Sequence, residues 1–570
     1  MKRAALVALF FLVPLTAFAQ QTQRYIVGMK PGVTRGAKAA QWAGRNLEDL
    51  ANLDSFVVNL TDAEVQALRN DASVRYVESA EIKFFALGTT VHPGTPVAES
   101  HPVDAQVTPY GVTMVRAPQV WPVAKGDGVN VAIVDTGIDY THPEIKDHYQ
   151  GGFNAITGTS DPRDDDGHGT HVAGTIAAAD NGFGVVGVAP NAKIWSAKVL
   201  APDGTGTSSG SNAQIASGLN WVLGKRNELG GHWIVNMSLG QCTDVTVSSQ
   251  CSPIPSVTMQ NACQKLADAG ILVFAASGND STTTHAATVG YPAAFSSVIA
   301  VGAVDSTQTV AVFSNQGPEL AVSGPGVGVF SSFIVGKGTN SFVNSAGNTY
   351  DASALIPAGK GTLSGQYVYC GLGATAADFP ASVKNNIALI QRGTATFNLK
   401  TKNALAAGAK AVVIYNCSIA ATPTTCGSET FGGWTLVGKL SDGVTDDPAD
   451  LAFAWPIDIG ISYADGEALR KAAAGATLTE TNVVDDYAVE SGTSMACPHA
   501  VGVAALVWSV APNASASDIK SAILNNAADL GATGKDNAYG FGLLDAFAAA
   551  RQLNPAAFSV KGRMAGRRGH

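Results

Sequence analysis

Between residues 105 and 335, short continuous apolar runs alternate with longer segments of helical pattern. The apolar runs "VNVAIVDTG", "AKIWSAKVL", "WIVNMSLG", "ILVFAASGN" and "SVIAVGAV" read as strands, and segments such as "HGTHVAGTIAAA" and "NAQIASGLNWVLGKR" read as helices. Strands that are apolar at every position, rather than at every second one, are typical of a parallel sheet covered on both faces. The alternation therefore predicts an α/β fold built on a doubly wound parallel sheet.

Polar residues stand where strands of this sheet end or where helices begin. Asp135 ends the first strand and Asn279 follows a later one. His168 opens a helix after an aspartate-rich turn, and Ser494 opens the last apolar helix. Ligands of an open parallel sheet bind outside the carboxyl ends of its strands. We therefore expect these four side chains to meet at one edge of the sheet.

An aspartate, a histidine, a serine and an asparagine amide are the groups that acyl transfer needs. A serine hydroxyl becomes a nucleophile when a neighbouring base removes its proton, and the ordinary pKa of histidine suits that task. We assign Ser494 as nucleophile, His168 as base, and Asp135 as the buried carboxylate that orients the imidazole. The side chain of Asn279 and the backbone N–H of Ser494 would donate hydrogen bonds to the oxyanion.

Simpler interpretations exist for each residue taken alone. Ser494 alone would be a helix cap, because serine is favoured there. His168 and His171 could bind a metal, but zincin helices place their ligands four residues apart with a glutamate between them, so we expect His171 to be structural. The aspartate run 164–166 is expected to be a solvated loop, with a raised negative field near His168 or a preference for cationic substrates as the alternative. Cys497 is expected to be a buried core thiol.

Three segments resemble the signatures of the subtilisin-like serine proteases. They are "VAIVDTGID", "DDDGHGTHVAGT" and "SGTSMACPHAVGVAAL", in the order Asp, His, Ser. The resemblance covers about residues 105–335 and 482–550 and implies the same catalytic roles. A lipase or esterase of the α/β-hydrolase type would need G-x-S-x-G and the order Ser, Asp, His. A non-catalytic binding protein is the other alternative, and it would not react with a fluorophosphonate.

The resemblance also implies a substrate cleft. In "NMSLG", three residues match the strand on one side of a bound peptide: Ser238, Leu239 and Gly240. Gly206, in "DGTGTSSG", matches the strand on the other side. The pocket for the side chain that precedes the scissile bond is matched by Ala276, Gly278 and Gly290. A glycine at the floor, Gly290, leaves the pocket deep enough for a large side chain, and no acidic residue is evident there.

Further segments surround a catalytic domain that we place at residues 105–335 and 481–555. They are a signal peptide at 1–19, a propeptide and linker at 20–104, an insert at 336–480 and a basic tail at 556–570. The resemblance implies that the propeptide is an inhibitory α+β domain, which the chain itself cuts off between about Ala86 and Thr108. It also implies that the insert is a β-rich protease-associated (PA) domain.

The amino terminus predicts export. Lys2 and Arg3 precede an apolar run that is too short to span a bilayer, and Ala17-Phe18-Ala19 fits a signal-peptidase site. We therefore expect a secreted, soluble protein with no membrane span. The net charge of −9 argues against a nucleic-acid partner. Expected partners are protein or peptide substrates and the chain's own propeptide, and we expect a monomer.

Seven cysteines would face an oxidising compartment. Six of them can pair in fifteen ways. The short-loop pairs Cys242–Cys251 and Cys417–Cys426 are attractive, and Cys497 would be the thiol left over. The chemistry needs no cofactor, but Glu144 and the loop around Asn181 resemble a structural calcium site of the family.

Overall fold

The computed structural model describes residues 22–45, 47–87, 105–204, 207–243, 249–282, 285–418, 426, 434–441, 445–472 and 475–559. The proposed signal peptide, linker residues 88–104 and tail residues 560–570 lie outside this part of the chain. The chain forms two compact units, one ending at Glu81 and the other beginning at Ile82.

The first unit is a small α+β domain. Its antiparallel sheet has the strand order β2-β3-β1-β4. The elements are β1 Gln23–Met29, α1 Arg35–Ala39, β2 Glu48–Leu50, β3 Ser55–Leu60, α2 Asp62–Arg69 and β4 Val74–Ser79. The second helix begins with a capping box, because the Thr61 side chain accepts the Glu64 N–H and the Glu64 carboxylate accepts the Thr61 N–H.

The second unit is built on a seven-stranded sheet in the order β15-β14-β13-β11-β6-β8-β7. All neighbouring strands are parallel, which confirms the predicted fold class. The strands are β6 Val129–Asp135, β7 Tyr149–Asn154, β8 Lys193–Lys198, β11 His232–Met237, β13 Leu272–Ala276, β14 Ile299–Val304 and β15 Leu320–Pro325.

Helices cover both faces of this sheet. They are α3 Tyr110–Met114, α4 His168–Ala177, α5 Asn212–Leu229, α6 Val257–Asp268, α10 Thr493–Val510, α11 Ala516–Asn525 and α12 Ala546–Leu553. On β8, Ile194 packs in the core that contains α4 and α10. The next residue, Trp195, contacts Trp221 of α5 on the opposite face. The sheet is therefore doubly wound, as the sequence predicts.

A second, short sheet lies beside the large one, with the order β12-β5-β10-β9. Its strands are β5 Lys83–Ala86, β9 Ala201–Pro202, β10 Ser208–Ser211 and β12 Leu239–Gln241. One of its two inner strands, β5, comes from the segment 20–104 that we predicted to be the propeptide and linker.

The insert is a closed barrel of seven strands in the order β17-β18-β22-β21-β20-β19-β23. The strands are β17 Gly338–Ser345, β18 Asn348–Ala354, β19 Gly361–Tyr369, β20 Ile387–Gln391, β21 Ala411–Tyr415, β22 Asp458–Ile461 and β23 Thr477–Asp485. Its helices are α7 Phe397–Ala406, α8 Pro448–Leu451 and α9 Tyr463–Lys471. The barrel joins the catalytic domain through an antiparallel ribbon of β16 Val329–Ser332 and β24 Tyr487–Glu490. Because β23 ends at Asp485, the barrel extends past residue 480, where we expected the insert to end.

Helix α10 is the one helix in the described residues that is long and apolar enough to cross a membrane. Its most apolar window is 94% buried inside the protein, which is typical of a core helix.

The two disulfides that the sequence favoured are present, Cys242–Cys251 and Cys417–Cys426. The expectation of a single leftover thiol is wrong, because Cys263, Cys370 and Cys497 are all free and buried. Cys370 lies in the core of the insert and Cys497 in the core of the catalytic domain. Burial in separate cores keeps these two thiols apart.

Candidate active site

Asp135 and His168 meet at the edge of the sheet. Asp135 is the last residue of β6, and His168 is the first residue of α4. The His168 Nδ1 lies 2.7 Å from the Asp135 Oδ1, and both side chains are buried. Burial disfavours the charged imidazole, but the Asp135 carboxylate outweighs it and raises the pKa of His168 above its ordinary value. The pair is therefore arranged to stabilise an imidazolium.

The expectation that the aspartate run before His168 is a solvated loop is wrong for Asp164, which is buried, whereas Asp165 is exposed. The Asp166 carboxylate contributes to the raised pKa of His168. The buried Asp164 carboxylate accepts the backbone N–H groups of Gly167 and Thr170 at 3.0 Å and the Thr170 hydroxyl at 2.6 Å. The Asp166 carboxylate accepts the His168 N–H at 3.1 Å. These bonds satisfy donors of the first helical turn and fix where α4 begins. A run of acidic residues alone gave no sign of this role.

Ser494 lies in the first turn of α10 and is fully buried. Its hydroxyl donates to the Ser238 carbonyl oxygen at 3.0 Å, and the Ser238 hydroxyl donates to the Ser494 carbonyl oxygen at 2.9 Å. The His168 Nε2 is buried and has no hydrogen-bond partner among the residues described. In this state, with β5 in the cleft, the hydroxyl therefore points to Ser238 rather than to the imidazole.

Asn279 is held in one orientation by the residue that precedes the serine. Its Oδ1 accepts the Thr493 N–H at 2.9 Å and the Thr493 hydroxyl at 2.8 Å. The Gly278 N–H donates to the same hydroxyl at 3.2 Å. The Asn279 amide nitrogen therefore faces the cleft, where it donates to the Leu87 carbonyl oxygen at 2.6 Å.

Asn315, which the sequence analysis did not single out, packs against the same loop. Gly278 has φ +114°, and a Cβ at that position would lie 2.2 Å from the Asn315 Nδ2. The Asn315 Oδ1 accepts the backbone N–H groups of Asp280 and Ser281. The glycine is therefore required both for its left-handed backbone and for the close approach of the asparagine.

The predicted substrate strand, Ser238–Gly240, borders β5 directly. Leu239 lies opposite Ala86 and Gly240 opposite Phe85, and the Ser238 carbonyl oxygen accepts the Leu87 N–H at 3.2 Å. On the other side the pairing strand is Ser208–Ser211. Gly206, the residue chosen from the sequence, lies outside the described residues.

The three residues assigned to the side-chain pocket come together after β13. Ala276 ends that strand, Gly278 follows it, and the Gly290 N–H donates to the Ser277 carbonyl oxygen at 2.8 Å. In the substrate strand, a Cβ on Gly240 would lie 3.0 Å from the Leu87 Cδ1. The Leu87 side chain therefore packs against the backbone of Gly240.

Another acid, Glu490, is buried close to the two histidines of α4, His168 and His171. It ends β24, and its Oε2 lies 3.9 Å from the Nδ1 of buried His171. Burial raises the pKa of Glu490 to about 7 and lowers the pKa of His171 to about 3. The Glu490 carboxylate also contributes to the raised pKa of His168. Nothing local in the sequence marks it, because it reaches the site through the ribbon at the base of the insert.

Glu144 and Asn181 also meet, away from the triad. The Asn181 amide donates to the Glu144 Oε2 at 3.0 Å, and burial raises the pKa of Glu144 to about 7. Nearby, the Gln106 Nε2 donates to the carbonyl oxygens of Ala179 and Val185 at 2.6 and 3.3 Å and lies 3.5 Å from the Asn181 Oδ1. In the part of the chain that the structure describes, no cluster of three or more histidine, cysteine, aspartate or glutamate side chains could hold a metal.

A doubly wound sheet with an Asp–His pair, a serine in the first turn of a helix and an asparagine amide at one edge is the arrangement that the sequence predicted for a serine peptidase. The model of the Subtilase family matches residues 126–354 and 335–542. The chain therefore belongs to the subtilase family of subtilisin-like serine peptidases.

Individual relatives agree with this assignment. Subtilisin DY from Bacillus licheniformis is 41% identical over 275 residues, which are 48% of this chain and 92% of that protein. Subtilisin E from Bacillus subtilis is 34% identical over 318 residues, 54% of this chain and 73% of that protein.

Two solved structures are also similar. The psychrophilic subtilisin-like protease Apa1 from Pseudoalteromonas sp. AS-11 is 30% identical with a TM-score of 0.56, covering 80% of this chain and all of that one. Fervidolysin from Fervidobacterium pennivorans is 21% identical with a TM-score of 0.53, covering 93% and 61%, and supports the fold alone.

Proposed function

We propose that this subtilase is a secreted endopeptidase that cuts proteins through an acyl-enzyme on Ser494. The environment of one peptide carbonyl carries the proposal. Asn279 donates a hydrogen bond to the Leu87 carbonyl oxygen. The Ser494 hydroxyl and the Leu87 N–H share one acceptor, the Ser238 carbonyl oxygen. A peptide carbonyl with an amide donor on its oxygen and a serine beside it is the ground state of acyl transfer.

The proposed reaction uses four residues. His168 takes the proton from the Ser494 hydroxyl as the oxygen attacks the carbonyl carbon, while Asp135 stabilises the imidazolium. The Asn279 amide and the Ser494 N–H hold the oxyanion, and one such donor is worth about 3 kcal/mol. His168 then protonates the leaving amine, and water hydrolyses the ester by the reverse sequence. Rotation of the serine hydroxyl toward His168 begins the cycle, since catalytic hydrogen bonds are often unformed before the reaction.

The proposed pocket for the side chain before the scissile bond has walls at Ala276 and Gly278 and its floor at Gly290. A glycine floor leaves space for a large side chain. We propose proteins and peptides as substrates and a monomeric enzyme, with no nucleic-acid or membrane partner.

We propose that the remaining segments direct the export and the maturation of a zymogen. The signal peptide at 1–19 directs export, and residues 20–104 form the inhibitory propeptide and linker. Residues 82–87 fill the cleft, which supports self-inhibition before processing. The closed barrel of the insert, which ends at Asp485, is compatible with a PA domain between the two parts of the catalytic domain, and the tail covers residues 556–570.

We propose calcium as a structural ion, not a participant in the chemistry. Hard cations prefer oxygen ligands, and the carbonyl oxygens of Ala179 and Val185 converge with the Asn181 Oδ1 on one amide nitrogen. The buried Glu144 carboxylate lies next to this group. These residues fit a cation, with Gln106 turning its amide oxygen inward.

The calcium site is tested by thermal unfolding of a Ser494→Ala protein, which cannot digest itself. Calcium should raise the Tm, and a chelator should lower it. Glu144→Gln should abolish the difference. A Tm that is independent of calcium contradicts the site but leaves the catalytic proposal intact.

The catalytic proposal is tested with a fluorophosphonate and with casein. The secreted protein should be labelled on Ser494 and should digest casein, and Ser494→Ala should do neither. Ser509→Ala removes a hydroxyl from the same helix and should behave as wild type. Casein digestion by the Ser494→Ala protein would refute the assignment.

A further inference from the structure

We propose that a hollow at the edge of the large sheet binds neutral oligosaccharides. The hollow borders β7, which is the edge strand of that sheet. Its lining residues, all in the described part of the chain, do not include Asp135, His168 or Ser494. Its volume is about 640 Å³, within the range of roughly 300–1,000 Å³ that is usual for ligand sites. Saccharide binding at this place is independent of the proposed peptidase chemistry.

Aromatic rings line the hollow from both faces of the sheet. They belong to Tyr140, Tyr149, Trp195 and Trp221, and all four residues are partly exposed. Trp195 lies on the face that carries α5, and its ring centroid is 6.2 Å from that of Trp221. Tyr149 packs against the core on the opposite face, and its ring stacks on that of Tyr140 with the centroids 5.0 Å apart. The hollow therefore wraps around the edge of β7 between two aromatic surfaces.

A glycine in β7 keeps one of these surfaces open. Gly151 lies opposite Trp195 in the strand pairing, and a Cβ at this glycine would lie 3.8 Å from the Trp195 ring. The glycine has φ +131°, a backbone conformation that other residues rarely adopt. A longer side chain at this position would cover part of the indole ring. The glycine thus leaves the ring accessible to a ligand.

Polar groups with free hydrogen-bonding capacity accompany the rings. Within the described residues, the Tyr149 hydroxyl and the Trp221 indole N–H have no hydrogen-bond partner. The Tyr149 hydroxyl lies beside Gly152, another lining residue, because a Cβ there would be 2.9 Å from it. The Asp161 Oδ1 accepts the Tyr140 hydroxyl at 3.0 Å, which leaves the Oδ2 of this exposed carboxylate available as an acceptor. The hollow can therefore both donate and accept hydrogen bonds.

The charges around the hollow are already balanced. The Tyr140 hydroxyl donates to the Asp161 carboxylate and accepts from the Arg163 guanidinium at 3.1 Å, so it links an acid to a base. The Lys225 ammonium pairs with the Glu228 carboxylate at 2.8 Å. A charged ligand would have to compete with one of these arrangements, and an apolar ligand would cover the polar groups without replacing the water that they bind. The lining therefore favours a neutral ligand that carries many hydrogen-bonding groups.

A pyranose ring has these properties. The C–H groups on its faces are apolar and pack on aromatic rings, while its hydroxyl groups project from the edge and both donate and accept hydrogen bonds. The hollow presents aromatic surface on two sides and polar groups between them. The expected ligand is therefore a neutral oligosaccharide, either free or attached to a protein.

The first test identifies the ligand. The full chain with Ser494→Ala is applied to an array of neutral, acidic and basic oligosaccharides, and to a glycoprotein before and after removal of its neutral glycans. Neutral oligosaccharides should bind, and their binding should shift the tryptophan emission, because two indole rings line the hollow. Capture of the glycoprotein that is lost with its glycans assigns a protein-attached ligand, and capture on the array alone assigns a free one.

Other outcomes of this test overturn the proposal. They are no binding of any neutral oligosaccharide, binding of charged oligosaccharides alone, and equal capture of the glycoprotein with and without its glycans, which would indicate a peptide ligand. Each of them leaves the proposed peptidase function intact, because the array does not depend on turnover.

The second test locates the site by calorimetry in the Ser494→Ala background. Tyr149→Phe keeps the ring and removes the unpartnered hydroxyl, so it should raise Kd about fivefold. Trp221→Ala removes one aromatic wall and should raise Kd about tenfold or more. Phe453→Ala, which removes an exposed ring from the insert, is the matched control and should leave Kd unchanged.

The Tm of each variant shows whether it is folded, and Tyr149→Phe decides the matter if Trp221→Ala is not. An unchanged Kd in Tyr149→Phe, or an equal loss of affinity in Phe453→Ala, would overturn the assignment of the hollow.

Discussion

Thr493→Val should slow catalysis without preventing substrate binding. The hydroxyl of Thr493 donates to the Asn279 Oδ1 at 2.8 Å and accepts the Gly278 N–H at 3.2 Å. Valine keeps the branched shape but removes both bonds. Of the two Thr493 groups that donate to the Asn279 Oδ1, only the backbone N–H at 2.9 Å would then remain. The amide that faces the substrate carbonyl would lose part of its orientation.

The expected size of the effect lies between two limits. A typical hydrogen bond contributes about 1 kcal/mol, and complete loss of an oxyanion donor costs about 3 kcal/mol. Partial disorientation should cost about 1–2 kcal/mol in the transition state, which lowers kcat about 5- to 30-fold. KM should change little, because the oxyanion forms only after the substrate is bound.

Steady-state kinetics on a chromogenic peptide test this reasoning, with Thr493→Ser as the control that keeps the hydroxyl. The serine variant should stay within about twofold of wild type, since the hydrogen bonds remain possible. In the inactive Ser494→Ala background, Thr493→Val should also lower the free energy of unfolding by about 1–3 kcal/mol, because the buried Gly278 N–H loses its acceptor. An unchanged kcat in Thr493→Val, or equal losses in both variants, would refute the role given to the hydroxyl.

Two further predictions concern buried acids. Glu490→Gln removes a charge that raises the pKa of His168. The acidic limb of the profile of kcat/KM against pH should therefore move to lower pH. A limb that does not move would contradict the proposed effect of Glu490 on His168. In the insert, burial raises the pKa of Asp458 to about 8, although the Thr401 hydroxyl donates to it. Between about pH 4 and 8 this carboxyl is protonated when folded and ionised when unfolded, so the free energy of unfolding should fall as pH rises. Asp458→Asn should flatten that slope in denaturant titrations of the Ser494→Ala protein, and identical slopes would argue against it.

The sequence was sufficient to predict the parallel sheet and the meeting of Asp135 and His168 at its edge. Continuous apolar strands mark a parallel sheet, and the carboxyl ends of parallel strands share one edge. Asp135 and Asn279 could therefore be placed together although 144 positions separate them in the chain. Their partners, His168 and Ser494, lie in the first turns of helices, and the helical pattern of the following residues predicted these positions.

Features that depend on long-range pairing could not be derived in this way. Leu87 is an unremarkable residue in a segment that reads as the end of a propeptide. Its position in the cleft follows from pairing with strands more than 100 residues away, and no periodicity encodes that register. Asp164 was misjudged for a related reason, because its buried state depends on the backbone of the turn that it stabilises.

The base of the insert shows why 326 residues can separate His168 from Ser494 although their helices, α4 and α10, pack in the same core. In the ribbon, Val329 lies opposite Glu490, so the chain leaves for the barrel and returns at the same place. The turn to α10 follows at once and carries the serine. The ribbon also contacts the histidine helix, since the His171 Nε2 lies 2.9 Å from the Val329 carbonyl oxygen.

The residue that follows the first ribbon strand, Phe333, contacts the turn before His168. The Phe333 ring lies against Gly167, where an added Cβ would be 2.0 Å from the ring and where φ is +115°. A side chain larger than glycine would therefore displace either the ring or the start of α4. The base of the insert therefore contacts the helix that carries His168 and leads directly into the helix that carries Ser494.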